Sequence, residues 1–304
     1  MAKITIEDGG VRLDAFLADH YKDLHTRSQI TKAIKSGKIT LNDGKIKCGT
    51  ILKTGDIIEV DEDAIEGGEV TAMPEDIGIE KYIVFEDDYL IILNKPRGIT
   101  VHPGAGVKRG TLLNGLLFKF ADSVLERAGI VHRLDKNTAG LMIVAKTRKT
   151  QEKLCHMFEK HEINRTYLGL VEGHTPQNGR IEKNIIRHPN RRTIYTTADV
   201  GGRHAITNFE TVGYYKEKGG RNVSLVRFML ETGRTHQIRV HAKSIAHPLV
   251  GDPEYNPDSS IKYNGQLLES VEISFTHPIT GQEIIQNIPL SADFQGVLDI
   301  LVPI

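Results

Sequence analysis

The apolar positions along the chain change their spacing near residue 80, and the change divides the protein in two. Before it, Leu13, Phe16, Leu17, Tyr21 and Leu24 recur at intervals of three to four residues, which places them on one face of a helix. Thr26 with Gln29 three residues later forms a capping-box pattern, and the helix it opens runs through Ile30, Ala33 and Ile34 until Gly37 stops it. Short strands are predicted at Ile39 to Leu41 and Ile46-Lys47, across a turn at Asn42-Asp43-Gly44, with a third at Ile57 to Val60. These elements make a small N-terminal α/β unit, residues 1–65. Gly67-Gly68, Pro74 and a run of acids mark residues 66–80 as an acidic linker.

From Tyr82 onward the apolar residues come in short β-branched runs: Ile83 to Phe85, Leu90 to Leu93, Leu141 to Val144, Tyr167 to Val171, Val223 to Leu230, Gln237 to Val240 and Val271 to Phe275. Two amphipathic helices are predicted, at Leu112 to Phe120 and Thr150 to Glu159. Many short strands with few helices predict an α+β domain on a mostly antiparallel or mixed sheet over residues 81–304.

Composition narrows the class. No run of about 18 apolar residues occurs and the N-terminus lacks an apolar signal segment, so no membrane partner and a cytoplasmic location are expected. Two cysteines, Cys48 and Cys155, are too few for a disulfide scaffold. The formal net charge is zero, yet the charge is strongly segregated. Between His20 and Lys53 eight Lys/Arg face two acids; between Thr54 and Glu80 ten acids face no Lys or Arg; between Arg180 and Lys243 thirteen Lys/Arg face five acids. Two basic regions around an acidic connector fit a two-module binder of a polyanion such as RNA. Lys32 and Lys35 fall on the second helix, where a one-signed excess favours RNA contact over a merely solvated face.

Candidate chemistry concentrates in two segments. In His132 to Lys146, HRLDKNTAGLMIVAK, one carboxylate, Asp135, stands in a basic turn that runs into an apolar strand able to hold that turn rigid. About a hundred residues later, Leu230 to His241 reads LETGRTHQIRVH. Taken as a strand, it puts Gln237, Arg239 and His241 on one face and packs Ile238 and Val240 on the other, so that Arg239 is aimed by a buried element.

Both segments resemble the signature motifs of the RluA-type pseudouridine synthases, in their RluD-like branch. The likeness extends to Ile92 to Gly106 (ILNKPRGITVHPGAG), Arg165-Thr166-Tyr167 and His247 to Pro253 (HPLVGDP), and so covers most of residues 80 to 304. Residues 11 to 60 resemble, more loosely, the RNA-binding domain named for the fourth protein of the small ribosomal subunit. The resemblance implies a bent sheet with the active cleft across its centre, and isomerisation of uridine to pseudouridine without metal, cofactor or redox change. The substrate it implies is large-subunit (23S) ribosomal RNA, with transfer RNA as the alternative; no DNA is expected, and the chain is expected to act as a monomer.

By the same resemblance Asp135 is the catalytic carboxylate, and sequence does not choose among attack on the base, attack on the ribose and proton removal. A cleft dry enough to hold an extruded base disfavours an ionised carboxylate, and an opposite charge within about 4 to 6 Å restores it. Arg239 is implied as that partner, with Arg234 as runner-up. Tyr167 matches the family's active-site tyrosine, lying against the base and assisting proton removal from carbon 5. Arg133 is implied to enter the gap left by the flipped nucleotide, with a salt bridge or a phosphate contact as the alternatives. His132 orders the turn by hydrogen bonding, and Ile238 forms part of the wall over the uracil ring. One departure is Ala139, where the family commonly has Ser or Thr; a small residue before Gly140 preserves the turn and puts one hydrogen bond in doubt.

Competing classes have weaker support. Thirteen histidines invite a metal site, but no HExxH occurs, and on a strand the interval of five between His236 and His241 turns them to opposite faces. No GxGxxG or GxxxxGK[ST] occurs, which argues against a nucleotide cofactor. A catalytically silent RNA-binding or ribosome-assembly factor is the remaining rival.

Overall fold

The computed structural model describes residues 2–21, 27–42, 44, 46–61, 72–104, 107–121, 125–191, 193–259 and 261–304, leaving out the side chains of 27–29. The predicted capping box, the tip of the turn at Asp43 and the first half of the predicted linker lie outside the described residues. The chain separates into two compact units, residues 1–71 and 72–304.

The first unit contains β1 (Ala2–Thr5), α1 (Leu13–His20), α2 (Arg27–Lys35), β2 (Ile39–Leu41) and β3 (Ile57–Val60). Leu13 and Leu17 of α1 meet Ile30 and Ile34 of α2 over Ile39 and Ile58 of the sheet, all of them buried. The expected strand at Ile46-Lys47 does not form. Asn42 instead takes a left-handed conformation, and its side chain bonds to Asp56 Oδ1 and to the Ile57 N–H, both at 2.9 Å, which brings β3 beside β2. The other edge of β3 is taken by β1, an antiparallel strand whose alternation Ala2-Lys3-Ile4-Thr5 was not recognised in the sequence.

The second unit begins earlier than the sequence predicted. Ile79 is buried, Ile77 packs against the same core, and the Asn114 side chain donates to the Met73 carbonyl at 2.7 Å. Two isoleucines among the acids thus anchor residues 72–80, expected as linker, to this second unit. Its elements are β4 (Ile83–Glu86), β5 (Leu90–Lys95), α3 (Leu112–Lys119), β6 (Ala139–Ala145), α4 (Arg148–Glu159), β7 (Asn164–Glu172), β8 (Asn178–Glu182), β9 (Asn184–Arg187) and β10 (Tyr195–Ala198). After these come β11 (Ile206–Lys216), β12 (Asn222–Leu230), α5 (Gln237–Ser244), β13 (Leu268–Thr276), β14 (Glu283–Asn287), α6 (Ala292–Asp299) and β15 (Val302–Pro303).

A mixed sheet runs in the order β15-β11-β12-β7-β13-β6-β5-β4, with β8 on β11 and β14 on β13, while β9 and β10 form a separate hairpin. The β6–β13 pairing is parallel and the neighbouring pairings are antiparallel, giving the α+β architecture the spacing predicted. The period of two in β5 and β6 explains their unbroken apolar runs. Ile91, Leu93, Met142 and Val144 point into one core with Leu112 and Leu116 of α3, whereas Leu90, Ile92, Leu141 and Ile143 point into another beneath Leu154 and Met157 of α4. Each such side chain contributes about 1.5–3 kcal/mol on burial, so the strand leaving the Asp135 turn is anchored on both faces.

Gln237 to Val240, expected as a strand, opens α5. Alternation of polar and apolar residues led to that expectation, but Gln237 through Ala242 are all buried, and a helix enclosed on every side carries no amphipathic stripe. The helical geometry reverses the predicted sharing of a face. Gln237 and His241, four apart, both bond Thr207 Oγ1, at 3.0 and 2.9 Å, and Arg239 projects the other way.

Candidate active site

The turn bearing Asp135 is held from three directions. Within it, the Thr138 N–H bonds the Asp135 carbonyl at 3.1 Å. From the loop after β5, the Gly98 N–H donates to the Lys136 carbonyl at 2.9 Å, and Arg97 Nη1 donates to the Asn137 carbonyl at 2.6 Å. Lys95 is fully buried and its Nζ donates to the carbonyls of Pro96, Ile99 and Lys136 at 2.9, 3.0 and 3.2 Å, pinning both loops together. Burial pushes its amine down to about 7, with the Asp135 charge opposing the shift. Behind the turn, His132 Nε2 accepts from the Ile143 N–H at 2.8 Å, which fixes the tautomer and ties the turn to β6. Burial drives this ring down to about 3, with Arg165 acting in the same direction, so it is neutral and its ring nitrogen can accept.

Gly140 explains the close seam beside the turn. Its φ is +111°, and a Cβ there would run into the backbone of Ser270 across the parallel β6–β13 pairing. Ala139, the departure from the family pattern, is a buried residue at the start of β6, and the neighbouring Thr138 hydroxyl accepts from Gln266 Nε2 at 2.9 Å.

Arg239 reaches this turn from α5. Its Nε and Nη2 form a two-pronged bond to Asp252, at 2.7 and 2.8 Å; Nη2 also meets Glu254 Oε2 at 2.6 Å; and Nη1 donates to Asp135 Oδ2 at 3.2 Å. The Tyr255 ring lies 4.9 Å from the guanidinium carbon. Burial opposes the charge, but the bonds and charges of Asp252, Asp135 and Glu254 outweigh it and raise the pKa further. The two-pronged edge of Arg239 is therefore used on Asp252, and Asp135 receives a single bond. His236, in a left-handed conformation ahead of α5, stands 3.8 Å from Asp135 Oδ1 and accepts or donates at 3.0 Å to the Tyr255 hydroxyl.

Asp135 and Arg239 share a hollow of about 60 Å³ with Tyr167, Leu230, Ile238 and Leu268, Ile238 reaching it from a helix and not from the expected strand. An adjoining cleft of about 510 Å³ adds His132, Phe158 and Arg165 to Arg133, Asp135, Tyr167 and Arg234, which line both. Tyr167, on β7, is 5% exposed; burial pushes its hydroxyl up, and the Arg165 charge opposes this. Such a phenol is protonated at neutral pH and is a proton donor before it is a base. Arg133 is exposed and, among the described residues, has no ion pair. Arg234, the alternative partner for Asp135, instead donates to the His204 carbonyl at 3.0 Å. Lys32 and Lys35 are exposed on α2 in the first unit.

Sequence reasoning missed Asp252 and Glu254 as partners of Arg239, although Asp252 lies within HPLVGDP; a carboxylate directly after a Gly gives no sign of what it will face. It also missed Lys95 and Arg97, which lay inside the quoted ILNKPRG. For a metal the site has little room: Asp135, Asp252 and Glu254 converge on the guanidinium, which already fills the position a cation would need. His236 and His241 turn to different partners.

The family described as RNA pseudouridylate synthase matches residues 89–244, and the S4 domain family matches residues 11–58. The ribosomal large subunit pseudouridine synthase D of Vibrio cholerae is 36% identical, over 95% of this chain and 91% of that protein. Its counterpart in Neisseria meningitidis serogroup A is 38% identical over 98% of this chain and 80% of that protein, and an uncharacterized RNA pseudouridine synthase of Bacillus subtilis is 36% identical over 96% and 95%. In fold, the chain is similar to human RNA pseudouridylate synthase domain containing 1, with a TM-score of 0.59 at 22% identity over 73% of this chain and 88% of that one. With a family match over half its length and relatives similar from end to end, this chain belongs to the RNA pseudouridylate synthases and carries an S4 domain ahead of the catalytic one.

Proposed function

We propose that this enzyme converts specific uridines of large-subunit ribosomal RNA to pseudouridine, with Asp135 as the catalytic carboxylate. The observation that carries the assignment is the Asp135–Arg239 bond at 3.2 Å inside an apolar-walled hollow beside Tyr167. The large-subunit substrate is supported by relatives, ribosomal large subunit pseudouridine synthases D, that match this chain over nearly its whole length.

The reaction breaks the bond between N1 and the ribose, turns the uracil, and joins carbon 5 to the same ribose carbon, while the carbon-5 proton is lost and N1 gains one. Atoms and electrons balance without a cofactor. Arg239 orients Asp135 through its bond to Oδ2. Tyr167 lies against the base, where stacking contributes about 1–3 kcal/mol against the few kcal/mol that unstacking a base costs. Leu230, Ile238 and Leu268 exclude water. Arg133, exposed at the mouth, enters the space the flipped nucleotide leaves, and Arg234 lines the approach. His132 acts behind the turn through its bond to Ile143. Lys32 and Lys35 contact phosphates elsewhere on the RNA. The protein acts as a cytoplasmic monomer; among the described residues no helix is long and apolar enough to cross a membrane.

The test is pseudouridine mapping, by carbodiimide-dependent reverse-transcription stops, on total RNA from cells lacking the protein and rescued with wild type or Asp135→Asn. Large-subunit sites lost on deletion and restored only by wild type are expected. Sites lost from transfer RNA instead would change the substrate, restoration by Asp135→Asn would remove the catalytic role from Asp135, and no lost sites would favour a binding factor.

A further inference from the structure

Arg165 has no use in the site described so far, and its surroundings are unusual. It is 8% exposed, and its side chain makes neither an ion pair nor a hydrogen bond among the described residues; its buried Nε has no partner at all. The Phe158 ring, 5.4 Å from the guanidinium carbon, is its companion. Burial lowers its pKa, the Tyr167 interaction opposing, but from so high a starting value the group stays charged. A buried charge without a partner is costly unless a ligand completes it. Arg239, also buried, shows the contrast, since three carboxylates surround it.

The chain also makes room for this guanidinium. A Cβ on Gly233 would stand 2.7 Å from Arg165 Nη1, so any larger residue there would push the group from its place. Gly233 has no positive φ that would otherwise demand glycine. Arg165 and Gly233 line the 510 Å³ cleft that also contains Asp135 and Tyr167, and Arg133, Arg234 and His161 line it too, against the acids Asp135 and Glu159. The cleft is therefore predominantly basic.

Resting on the proposed RNA activity, we infer that Arg165 is a substrate-binding residue whose buried guanidinium takes a phosphodiester of the strand next to the extruded uridine, with Gly233 keeping the space in which it does so. A planar guanidinium matches two phosphate oxygens, and an enclosed one does so with little competition from water. Empty, the site keeps an uncompensated charge; the RNA supplies the missing anion.

The experiment compares wild type, Arg165→Gln and Gly233→Ala as full chains. The probe is unmodified large-subunit ribosomal RNA transcript, and the readouts are affinity as a function of salt, melting temperature, and pseudouridine formed. Loss of one phosphate contact is expected to reduce the slope of log affinity against log salt by about 0.7–0.9 and to weaken binding about tenfold or more. Gly233→Ala, which keeps the arginine but displaces it, is expected to weaken binding in the same direction. Arg165→Gln removes an unpaired buried charge, so its melting temperature is expected to stay level or rise. An unchanged slope in an enzyme that still forms pseudouridine overturns the phosphate contact alone, whatever the variant's melting temperature. A wild type that modifies neither the transcript nor cellular RNA overturns the function and this contact with it.

Discussion

Arg239 gives its two-pronged edge to Asp252, at 2.7 and 2.8 Å, and a single remaining nitrogen to Asp135, at 3.2 Å. Asp252 is fully buried and also accepts the N–H groups of Glu254 and Tyr255 at 3.0 and 3.1 Å, so it is held by bonds other than those to the arginine. Asp252 thus aims the guanidinium, and Asp135 is left with lone pairs for chemistry. Replacing Asp252 with Asn keeps the shape and removes the charge. Breaking a buried pair costs about 3–5 kcal/mol, and a reacting group displaced by about 1 Å loses about 10²-fold in rate. The expected outcome is a lower urea midpoint together with turnover reduced by about two orders of magnitude at little changed RNA affinity. Wild-type turnover in a folded Asp252→Asn protein would remove its positioning role.

Tyr167→Phe separates the ring from its hydroxyl. Burial, against the opposing Arg165 charge, holds the phenol protonated, so the hydroxyl can give a proton, and proton transfer by a positioned side chain is worth about 10²–10⁴ in rate. Single-turnover rates on saturating RNA are expected to fall within that range while affinity holds, because the stacking face remains. Equal loss of affinity and rate would instead assign Tyr167 to binding alone.

Lys32 and Lys35 are exposed near the end of α2. Exchanging both for Gln removes charge without touching the buried side of the helix, where Ala33 and Ile34 pack. If each meets a phosphate, the salt slope of RNA binding decreases by about 0.7–0.9 per lysine, and turnover at saturating RNA is unaffected. Salt titrations with identical slopes would make these lysines a solvated face.

His132 predicts an acid-sensitive stability. Burial lowers the ring from 6.5 to about 3, so below pH 6.5 the unfolded chain takes up a proton that the native ring refuses until about pH 3. Its stabilising bond to Ile143 is fully present above pH 6.5, and stability is lost as pH falls through that window. His132→Gln retains an acceptor for the Ile143 N–H but does not titrate. Urea unfolding at pH 4.5, 5.5 and 6.5 is expected to show a slope shallower by about 1.4 kcal/mol per pH unit in the variant than in wild type. Parallel slopes would mean that the ring titrates normally in the native state.

Much of the architecture was legible because it rests on local patterns. The continuous apolar stretches at Leu90 to Leu93 and Leu141 to Val144 mark strands buried on both faces, and β5 and β6 are those strands. Period three-to-four marks α1, α3 and α4 within a few residues. The reading failed where burial hides the pattern. In α5 both sides of the helix are enclosed, so Gln237-Ile238-Arg239-Val240 alternates like a strand; after β2 the turn does close, Leu41 pairing with Gly44, but no strand follows at Ile46-Lys47 and the Asn42 side chain bonds to β3.

Of the site, the sequence by itself determined which groups are available: an aspartate in a basic turn, an arginine and a tyrosine in separate segments, and the family they mark. Only the tertiary structure decided how those groups are used. Asp135 and Arg239 lie 104 residues apart, and their bond, the diversion of Arg239 to Asp252, the displacement of Arg234 to His204 and the solitary burial of Arg165 all follow from packing between distant strands and α5. Side-chain type is local information, whereas the partner of a buried charge is set by whichever element the fold brings against it.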